Sequence, residues 1–336
     1  MWESTETAVT IVTTVLIITS IAGNSFVCAV IKKNRDMRNP IDYLLVNLAV
    51  ADIIYSTSSL AGVVLGHTNS RPGGVTGKVF CIAQGTITWV GAFSSVLTLV
   101  AIATERYLSV IYPVGGKGKF TMRRLKIIIP CFWVFSLFLQ IPGVINMALD
   151  NEFRKRESKF CTKRQPSYKN WLRKGSFFLW FSMVVISIAV MIGLYSRVLY
   201  SLWTRSNNVH LTHRQKGVLK VRKRVTLMII TVSTIFGITW LPDIMIHAVE
   251  ETNSLKFSPV IFPIVHTIIM FNCAVNPFVY ALINHRFREK MKRMLYCSSR
   301  LSEPRGRSNS QSHSIELVNK SNHSAKGLEK EKGETG

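Results

Sequence analysis

The residues of this chain that could do chemistry are a few ionisable groups set inside long apolar runs. Asp52 is the only charged residue in the run 43–65, and Asp243 and His247 interrupt the run 225–249. Glu250 follows three residues later, so Asp243, His247 and Glu250 form one stripe along a helix. Burying a carboxylate inside such a run costs free energy unless the carboxylate has a partner. A residue of this kind is therefore a candidate functional residue. The pattern indicates ion or ligand binding, and no catalytic constellation accompanies it.

Seven runs with few or no charges have the length of membrane-spanning helices, which need about 20 apolar residues. They cover 7–31, 43–65, 79–104, 127–149, 175–196, 225–249 and 257–284. We therefore predict an all-α integral membrane protein, a seven-transmembrane-helix bundle with a short amphipathic eighth helix. Lys and Arg number 42 against 18 Asp and Glu. Because these basic residues lie between the apolar runs, the pattern argues against nucleic-acid binding.

The flanking charges predict the orientation and the order of the segments. Two acidic residues precede the first run and four basic residues follow it, which places the N-terminus outside the cell. We expect an extracellular N-terminus at 1–7 and the seven-helix domain at 8–284. An amphipathic juxtamembrane helix should follow at 285–296, and a disordered cytoplasmic tail at 297–336.

Each run carries a marker of a known family. The markers are Gly23-Asn24, Leu48-Ala49-Val50-Ala51-Asp52, Glu105-Arg106-Tyr107, Trp133, Tyr195, Phe236 with Trp240-Leu241-Pro242, and Asn276-Pro277-Phe278-Val279-Tyr280. With these markers in order, the chain resembles the rhodopsin-like (class A) G-protein-coupled receptors over about residues 8–296, and the neuropeptide-receptor branch most. The resemblance implies a plasma-membrane receptor, not an enzyme, that binds an extracellular ligand and activates heterotrimeric G proteins.

Asp52 has candidate hydrogen-bond partners on other runs, namely Asn24, Ser95, Asn272 and Asn276. The last two are four residues apart and share one helical face. The resemblance implies a regulatory sodium ion here, held in a wall that contains Asp52, Ser95, Asn272 and Trp240, and no other cofactor. A polar cluster that ties the helices together without an ion is the alternative.

The sixth run combines a proline with an aromatic pair. Phe236 and Trp240 are four residues apart and lie just below Pro242, which removes a hydrogen bond and kinks a helix. We expect a hinged helix with an aromatic lever and with Val96 as its neighbour; a packed core with an incidental kink is the alternative. The resemblance adds Asn276, Pro277 and Tyr280 to this activation switch. Ser187 stands where the family usually has a proline, which leaves open whether the fifth helix bulges.

The resemblance assigns G-protein coupling to residues near the cytoplasmic ends of the helices: Glu105, Arg106, Tyr107, Tyr195 and Arg222. In the family, Arg106, Tyr195 and Tyr280 regroup on activation to open a cleft for the G-protein C-terminal helix. A fixed salt bridge between Glu105 and Arg106 is the alternative. Arg222 stands where many relatives carry an acidic residue that bridges to the arginine of the third helix. We therefore predict that the inactive state lacks this stabilising ion pair, and that the receptor signals without ligand.

Cys81 and Cys161 both fall on the predicted outer side, where thiols oxidise. A disulfide between them would hold the second outer loop across the bundle. The segment 150–174 contains nine basic and three acidic residues. Such a loop attracts an anionic ligand or peptide by long-range steering, or is simply solvated.

The ligand pocket should be lined, by position, by Gln84, Thr88, Trp89, Asp243, His247, Glu250 and His266. Thr88 stands where amine receptors of the family have an aspartate, so an aminergic ligand lacks its counter-ion. Met270 stands where opsins have the retinal-linking lysine, which excludes Schiff-base chemistry. A peptide is the predicted ligand. A small non-amine ligand, protons sensed by the histidines, and a seven-helix transporter or pump are the alternatives.

The C-terminal region carries two candidate modification sites. Cys297 follows the predicted amphipathic helix, where S-palmitoylation would attach it to membrane lipids. Serines alternate through the tail at Ser308, Ser310, Ser312 and Ser314. The resemblance implies that receptor kinases phosphorylate them and that arrestin reads the added charge.

Overall fold

The computed structural model describes residues 2–67, 74–112, 120–148, 170–206, 212–253, 257–258 and 260–301. The helices in this part of the chain are α1 (Trp2–Lys33), α2 (Pro40–His67), α3 (Gly74–Ile111), α4 (Met122–Ala148), α5 (Asn170–Ser206), α6 (His213–Asn253), α7 (Ile261–Ile283) and α8 (His285–Leu301). A short 3-10 helix, Arg35–Met37, joins α1 to α2. The chain divides into two units, Met1–Lys290 and Met291–Gly336.

Seven of these helices, α1 to α7, are long and apolar enough to cross a membrane. The predicted seven-helix fold class is thereby confirmed. Several helices extend beyond their apolar runs. The 38 residues of α3 span about 57 Å at about 1.5 Å per residue, well beyond a hydrocarbon core of about 30 Å. Likewise α1 begins at Trp2 instead of leaving 1–7 as a separate N-terminus, and α8 runs to Leu301 instead of ending at 296.

Within the first unit, α3 is the central helix. Consecutive helices pack side by side from α1 to α7, and α7 returns to α1, while α3 also contacts α5 and α6. In the most apolar stretch of α3, 61% of the residues are buried. In the corresponding stretch of α4, 6% of the residues are buried. Because α4 buries so little of its apolar surface inside the protein, that surface faces the lipid.

Close approach of the helices depends on two glycines. A Cβ atom on Gly91 of α3 would lie 3.0 Å from the carbonyl oxygen of Ala51 and 3.2 Å from the backbone nitrogen of Tyr55, both on α2. A Cβ atom on Gly23 of α1 would lie 2.9 Å from Cγ of Pro277 on α7. At Gly91 the neighbouring atoms are backbone atoms, which cannot move aside as a side chain can, so only glycine allows α2 and α3 to come this close. These two contacts bring α1, α2, α3 and α7 together around Asp52.

A hydrogen-bonded chain of three side chains joins α2, α3 and α4. The Asn47 amide nitrogen donates to Oγ1 of Thr98 at 2.7 Å, and Nε1 of Trp133 donates to Oδ1 of Asn47 at 3.0 Å. Such bonds hold membrane helices together where the hydrophobic effect between them is absent. Trp133 was identified as a family marker, but Asn47 and Thr98 were not predicted.

The fifth helix settles the question raised by Ser187. Between Asn170 and Ser206 the backbone is α-helical throughout. The Ser187 hydroxyl donates to the carbonyl oxygen of Met183, one turn earlier, at 2.7 Å. A serine keeps its backbone N–H, which a proline lacks, so the helix has no need to bulge.

Candidate functional site

Asp52 lies at the junction of α2, α3 and α7, with 1% of its surface exposed. The Ser95 hydroxyl of α3 donates to Oδ1 at 3.0 Å, and Nδ2 of Asn276 in α7 donates to Oδ2 at 2.8 Å. Two donors from two further helices offset part of the cost of burying the carboxylate. The structure therefore brings the predicted partners Ser95 and Asn276 to Asp52.

A small cavity of about 10 Å³ adjoins this carboxylate, about the space that one water molecule needs. Its wall contains Asp52, Tyr55, Ala92, Ser95, Phe236, Trp240, Ile269, Asn272 and Cys273. Nδ2 of Asn272 is buried and has no hydrogen-bond partner among the described residues. The four predicted sodium-site residues thus share one cavity. Their carboxylate, hydroxyl and amide oxygens are the ligands that hard cations prefer, so the donor set fits a sodium ion.

Two residues behave differently from expectation at this cavity. Nδ2 of Asn24 donates to the main-chain carbonyl of Cys273 at 3.0 Å rather than to Asp52. Cys273, which was not among the predicted site residues, lines the cavity. Sequence spacing could have found it, because it lies beside Asn272 and three residues before Asn276.

An apolar layer lies between Asp52 and the ends of the helices near Arg106. It is formed by Leu45, Leu48, Leu99, Ile102, Ile229 and Val232 together with Tyr280, and it holds no space for water. The Tyr280 hydroxyl is buried and finds no hydrogen-bond partner within the described ranges. Its ring meets Phe287 at the start of α8 edge to face, with centroids 6.2 Å apart. A buried hydroxyl without a hydrogen-bond partner costs free energy. A movement that gave the Tyr280 hydroxyl a partner would recover that free energy.

Arg106 is half-buried beside the apolar layer and pairs with its neighbour Glu105. The Ser109 hydroxyl, one turn further along, donates to Oε1 of Glu105 at 2.9 Å. Across the described part of the chain, Glu105 is the one acidic residue that Arg106 pairs with. Arg222, on α6, is half-buried. The ion pair of Arg106 therefore lies within its own helix.

The neighbouring predicted coupling residues pack between helices. The Tyr195 hydroxyl of α5 and the Ser233 hydroxyl of α6 lie 2.8 Å apart and share a hydrogen bond. Tyr107 packs against Val110 and, on α5, against Val198 and Leu202. A hydrogen bond thus joins α5 to α6, and an apolar cluster, against which Leu219 of α6 also packs, joins α3 to α5.

Three tryptophans from three helices meet in the half of the first unit that lies away from Arg106. The ring centroids of Trp89 (α3), Trp180 (α5) and Trp240 (α6) lie 6.0 to 6.5 Å from one another. The Phe236 ring packs on Trp240 at 5.3 Å. These separations fall in the favourable range for aromatic pairs. Val96, the expected neighbour of this pair, is fully buried on α3.

Three of the predicted ligand-binding residues, Trp89, His247 and His266, belong to this tryptophan cluster or contact it. The Trp89 ring lies 6.3 Å from that of His266. The His247 ring lies 5.8 Å from Trp180 and 5.6 Å from Phe262. Trp180 was missed by the sequence reasoning. Its one signal is the dense aromatic segment at 177–181, at the outer end of the fifth apolar run.

Two other predicted ligand-binding residues, Gln84 and Thr88, are engaged with α2. The Thr88 hydroxyl donates to Oγ of Ser58 at 2.8 Å, and Nε2 of Gln84 donates to the Ser58 carbonyl at 3.2 Å. Glu250 is in α6, but its side chain lies outside the described part of the structure. The predicted pocket residues therefore divide between the tryptophan cluster and the α2–α3 contact.

The predicted covalent sites fall partly outside the described residues. Cys81 is disulfide-bonded, whereas Cys161, its predicted partner, lies outside the described ranges. Cys297 lies inside α8 rather than after it, because the helix continues to Leu301, and its side chain is not described. The four serines of the tail also lie outside the described residues.

The start of α8 is fixed by the turn before it and by the α1–α2 connection. Oδ1 of Asn284 accepts a hydrogen bond from the Phe287 backbone N–H at 3.3 Å. Nζ of Lys290 donates to Asp36 at 3.1 Å, and the Arg286 guanidinium lies 3.5 Å from the same carboxylate. The hydrogen bond from Lys290 lowers the pKa of Asp36. The carboxylate is exposed, so this tether is weak.

Comparison with known proteins places this geometry in a family. Residues 23–280 match the 7 transmembrane receptor (rhodopsin family). The chain is 28% identical over 285 residues to the allatostatin-A receptor of Bombyx mori, covering 83% of this chain and 77% of that protein. It is 26% identical over 306 residues to the tachykinin-like peptides receptor 86C of Drosophila melanogaster, covering 88% of this chain but 60% of that protein. Identity with the pyroglutamylated RF-amide peptide receptor of Rattus norvegicus is 24% over 291 residues, covering 82% of this chain and 67% of that protein.

The region that matches the family contains the structural features described above. The matched region runs from Gly23 in α1 to Tyr280 in α7. It contains the Asp52 cavity, the tryptophan cluster and the Glu105–Arg106 pair. This family is one of receptors rather than of enzymes, and its members cross the membrane several times. The chain belongs to the rhodopsin family of seven-transmembrane receptors.

Proposed function

We propose that this receptor binds a peptide at its extracellular side and activates heterotrimeric G proteins at its cytoplasmic side. One observation carries the proposal: Trp240 belongs both to the tryptophan cluster and to the wall of the Asp52 cavity. Asp52 and its hydrogen-bond partners Ser95 and Asn276 form the polar core. A ligand that moves Trp89 or Trp180 therefore acts on Trp240, which borders the polar core. Pro242, two residues further along α6, supplies the hinge.

The signal then passes from the polar core to the cytoplasmic ends of the helices. Asn276 holds Asp52 and lies on the same helix as Tyr280, one turn away. A change at the cavity therefore reaches Tyr280, whose hydroxyl has no hydrogen-bond partner among the described residues. Regrouping of Tyr280, Tyr195 and Arg106 would open a cleft for the G-protein C-terminal helix. Ligand and G protein act by favouring this state over the resting one.

The relatives support a peptide as the ligand. Two of those compared are named as receptors for tachykinin-like peptides and for an RF-amide peptide. The N-terminus would be extracellular and the receptor would lie in the plasma membrane, as the charges around the first helix indicate. A disulfide from Cys81 to Cys161 would hold the second outer loop. Receptor kinases and arrestin would act on the tail serines, and a lipid on Cys297 would bind the membrane.

The receptor should catalyse guanine-nucleotide exchange on a G protein in response to a peptide. Membranes that carry the full chain would be tested against a panel of G proteins and a library of amidated peptides, with bound GTP analogue as the readout. Arg106→Ala is the control and should abolish exchange at equal surface expression. Exchange that persists in Arg106→Ala, or a complete absence of exchange with every peptide, contradicts the proposal.

Sodium should lower agonist potency, because an ion at Asp52 stabilises the resting packing of the cavity. Allosteric couplings of this kind are typically about 1–3 kcal/mol, or about 5- to 150-fold. Agonist dose–response curves would be recorded in sodium chloride and in choline chloride at equal ionic strength. Asp52→Asn keeps the shape and should remove the sodium effect.

Cys273→Ser is the matched gain-of-function variant for this test. A thiol is a poor ligand for a hard cation, whereas a hydroxyl is a good one. The serine variant should therefore respond to sodium more strongly than the parent. A parent receptor that is indifferent to sodium would show that this cavity is a structural polar cluster.

A further inference from the structure

Asp243 is a second buried carboxylate, in the outer half of α6, and 1% of its surface is exposed. Burying a carboxylate inside a membrane helix is costly, and such groups mark binding sites. His247, one turn further out, places Nε2 3.6 Å from Oδ1 of Asp243, within ion-pair distance when the imidazole is protonated. The His247 side chain is 31% exposed, so the buried carboxylate is next to a residue that the solvent reaches.

Aromatic rings lie on both sides of Asp243 along α6. Trp240 precedes it by three residues and His247 follows by four, so all three share one face of the helix. The Trp180 ring contacts both Trp240 and His247, at 6.5 and 5.8 Å. It therefore lies alongside the turn that carries the carboxylate. Trp89 closes the group, since its ring contacts both Trp180 and Trp240.

Trp180 adds a hydrogen-bond donor to this group. Its indole Nε1 is buried and has no hydrogen-bond partner among the described residues. Indole nitrogens normally find a partner when buried, because an unpaired donor costs about 1–3 kcal/mol. A peptide carbonyl group is a suitable acceptor. The donor therefore indicates a ligand that enters between α5 and α6.

We propose that Asp243 and the surrounding tryptophans form a subsite for a cationic side chain of the ligand, a guanidinium or an ammonium group. The inference rests on the proposed peptide ligand and specifies its chemistry. The carboxylate supplies the opposite charge, and the indole faces attract a cation further, most strongly when water is excluded. The Trp180 N–H binds a carbonyl oxygen of the same peptide. Because Trp240 is part of the subsite, an occupied subsite acts directly on the residue that borders the Asp52 cavity.

The test compares arginine with citrulline, its neutral isostere, in a defined set of amidated hexapeptides. Each peptide carries arginine at one position, and its partner peptide carries citrulline there. On the parent receptor, the most potent arginine peptide should lose about 100-fold in potency on conversion to citrulline, as expected for loss of one partner of a buried charge pair. On Asp243→Asn the difference should fall below about threefold, because the two changes remove the same interaction.

Two matched variants control for charge and for folding. Asp243→Glu keeps the charge and should keep the preference for arginine. Asp36→Asn makes the same chemical change at an exposed site on the α1–α2 connection and should also keep it. If Asp243→Asn fails to reach the membrane, Asp243→Ser takes its place, and a preference for arginine that survives in that variant overturns the subsite.

The outcomes separate the two proposals. Peptides that activate equally with arginine and citrulline overturn the cation subsite and leave the peptide receptor standing. A preference for arginine that survives in Asp243→Asn also overturns the subsite, since another group must then bind the cation. A library with no active member contradicts the peptide receptor, and the subsite is lost with it.

Discussion

Replacing Gly91 with leucine should abolish most of the folded receptor, whereas the same replacement at Gly85 should leave it largely intact. Both glycines lie on α3. A Cβ atom on Gly91 would meet the backbone of α2 at 3.0 and 3.2 Å, but a Cβ atom on Gly85 would meet nothing within 4 Å. Backbone atoms cannot rotate out of the way as a flexible side chain can. The two helices must therefore separate to admit any larger residue at 91.

Separation of α2 from α3 would also damage the polar core. Ser95 lies one turn after Gly91, and its hydroxyl bonds Asp52, the residue next to Ala51. Overpacking a well-packed contact costs about 1–3 kcal/mol, and loss of a hydrogen bond to a buried charge adds a comparable amount. A total stability of about 5–15 kcal/mol leaves little margin for both.

The measurement is the amount of receptor that remains monodisperse after solubilisation, followed as a function of temperature. Gly91→Ala should give an intermediate loss, because alanine adds only the Cβ atom. Gly85→Ala should be neutral or slightly stabilising, since alanine favours a helix over glycine by about 0.5–1 kcal/mol. Equal melting curves for Gly91→Leu and Gly85→Leu would refute the close α2–α3 contact.

The Asp52 site was predictable from sequence because its members interrupt apolar runs at fixed intervals. A carboxylate in a membrane helix must find donors, and Ser95 and Asn276 are polar residues at matching depth on other helices. The same reasoning selected Asn24, which instead donates to the Cys273 main chain. Helical periodicity identifies the face on which a side chain lies, but not which of several acceptors at that depth it reaches.

The outer site was less predictable for a related reason. Gln84 and Thr88 lie at the expected depth on α3, yet they bond Ser58 of α2. Their rotation about the helix axis follows from the close contact at Gly91, which spacing within α3 alone does not reveal. Trp180 carries no charge and interrupts no apolar run, and the aromatic segment at 177–181 does not by itself distinguish it from a lipid-facing residue. Only its contacts with Trp89, Trp240 and His247 identify it.

Arg222→Glu should lower ligand-independent signalling. Arg106 pairs with Glu105, a neighbour on the same helix, and the described ranges show no ion pair from Arg106 to α6. An ion pair within one helix does not resist movement of another helix. The basic residue at 222 adds a like charge on α6 instead of a bridge. The parent receptor should therefore signal measurably without ligand, although Glu105 keeps the effect partial.

The expected size of the effect follows from elementary electrostatics. Two unit charges about 4 Å apart interact by about 1 kcal/mol in water and by about 4 kcal/mol near a protein surface. Replacing the repulsion between two like charges by attraction between opposite charges doubles this free-energy difference. About 1.4 kcal/mol shifts a two-state equilibrium about tenfold. Side-chain flexibility and solvent screening reduce the upper figure, since Arg222 is only half-buried. A decrease of basal activity by about fivefold or more is expected.

Lys220→Glu is the matched control for Arg222→Glu. It makes the same change of charge on α6, but Lys220 is exposed and lies two residues away, on a different face of the helix. Basal GTP exchange would be measured for both variants and the parent at equal surface expression. If Lys220→Glu silences the receptor as strongly as Arg222→Glu, net charge at the cytoplasmic face sets the basal activity, and no bridge to Arg106 is involved.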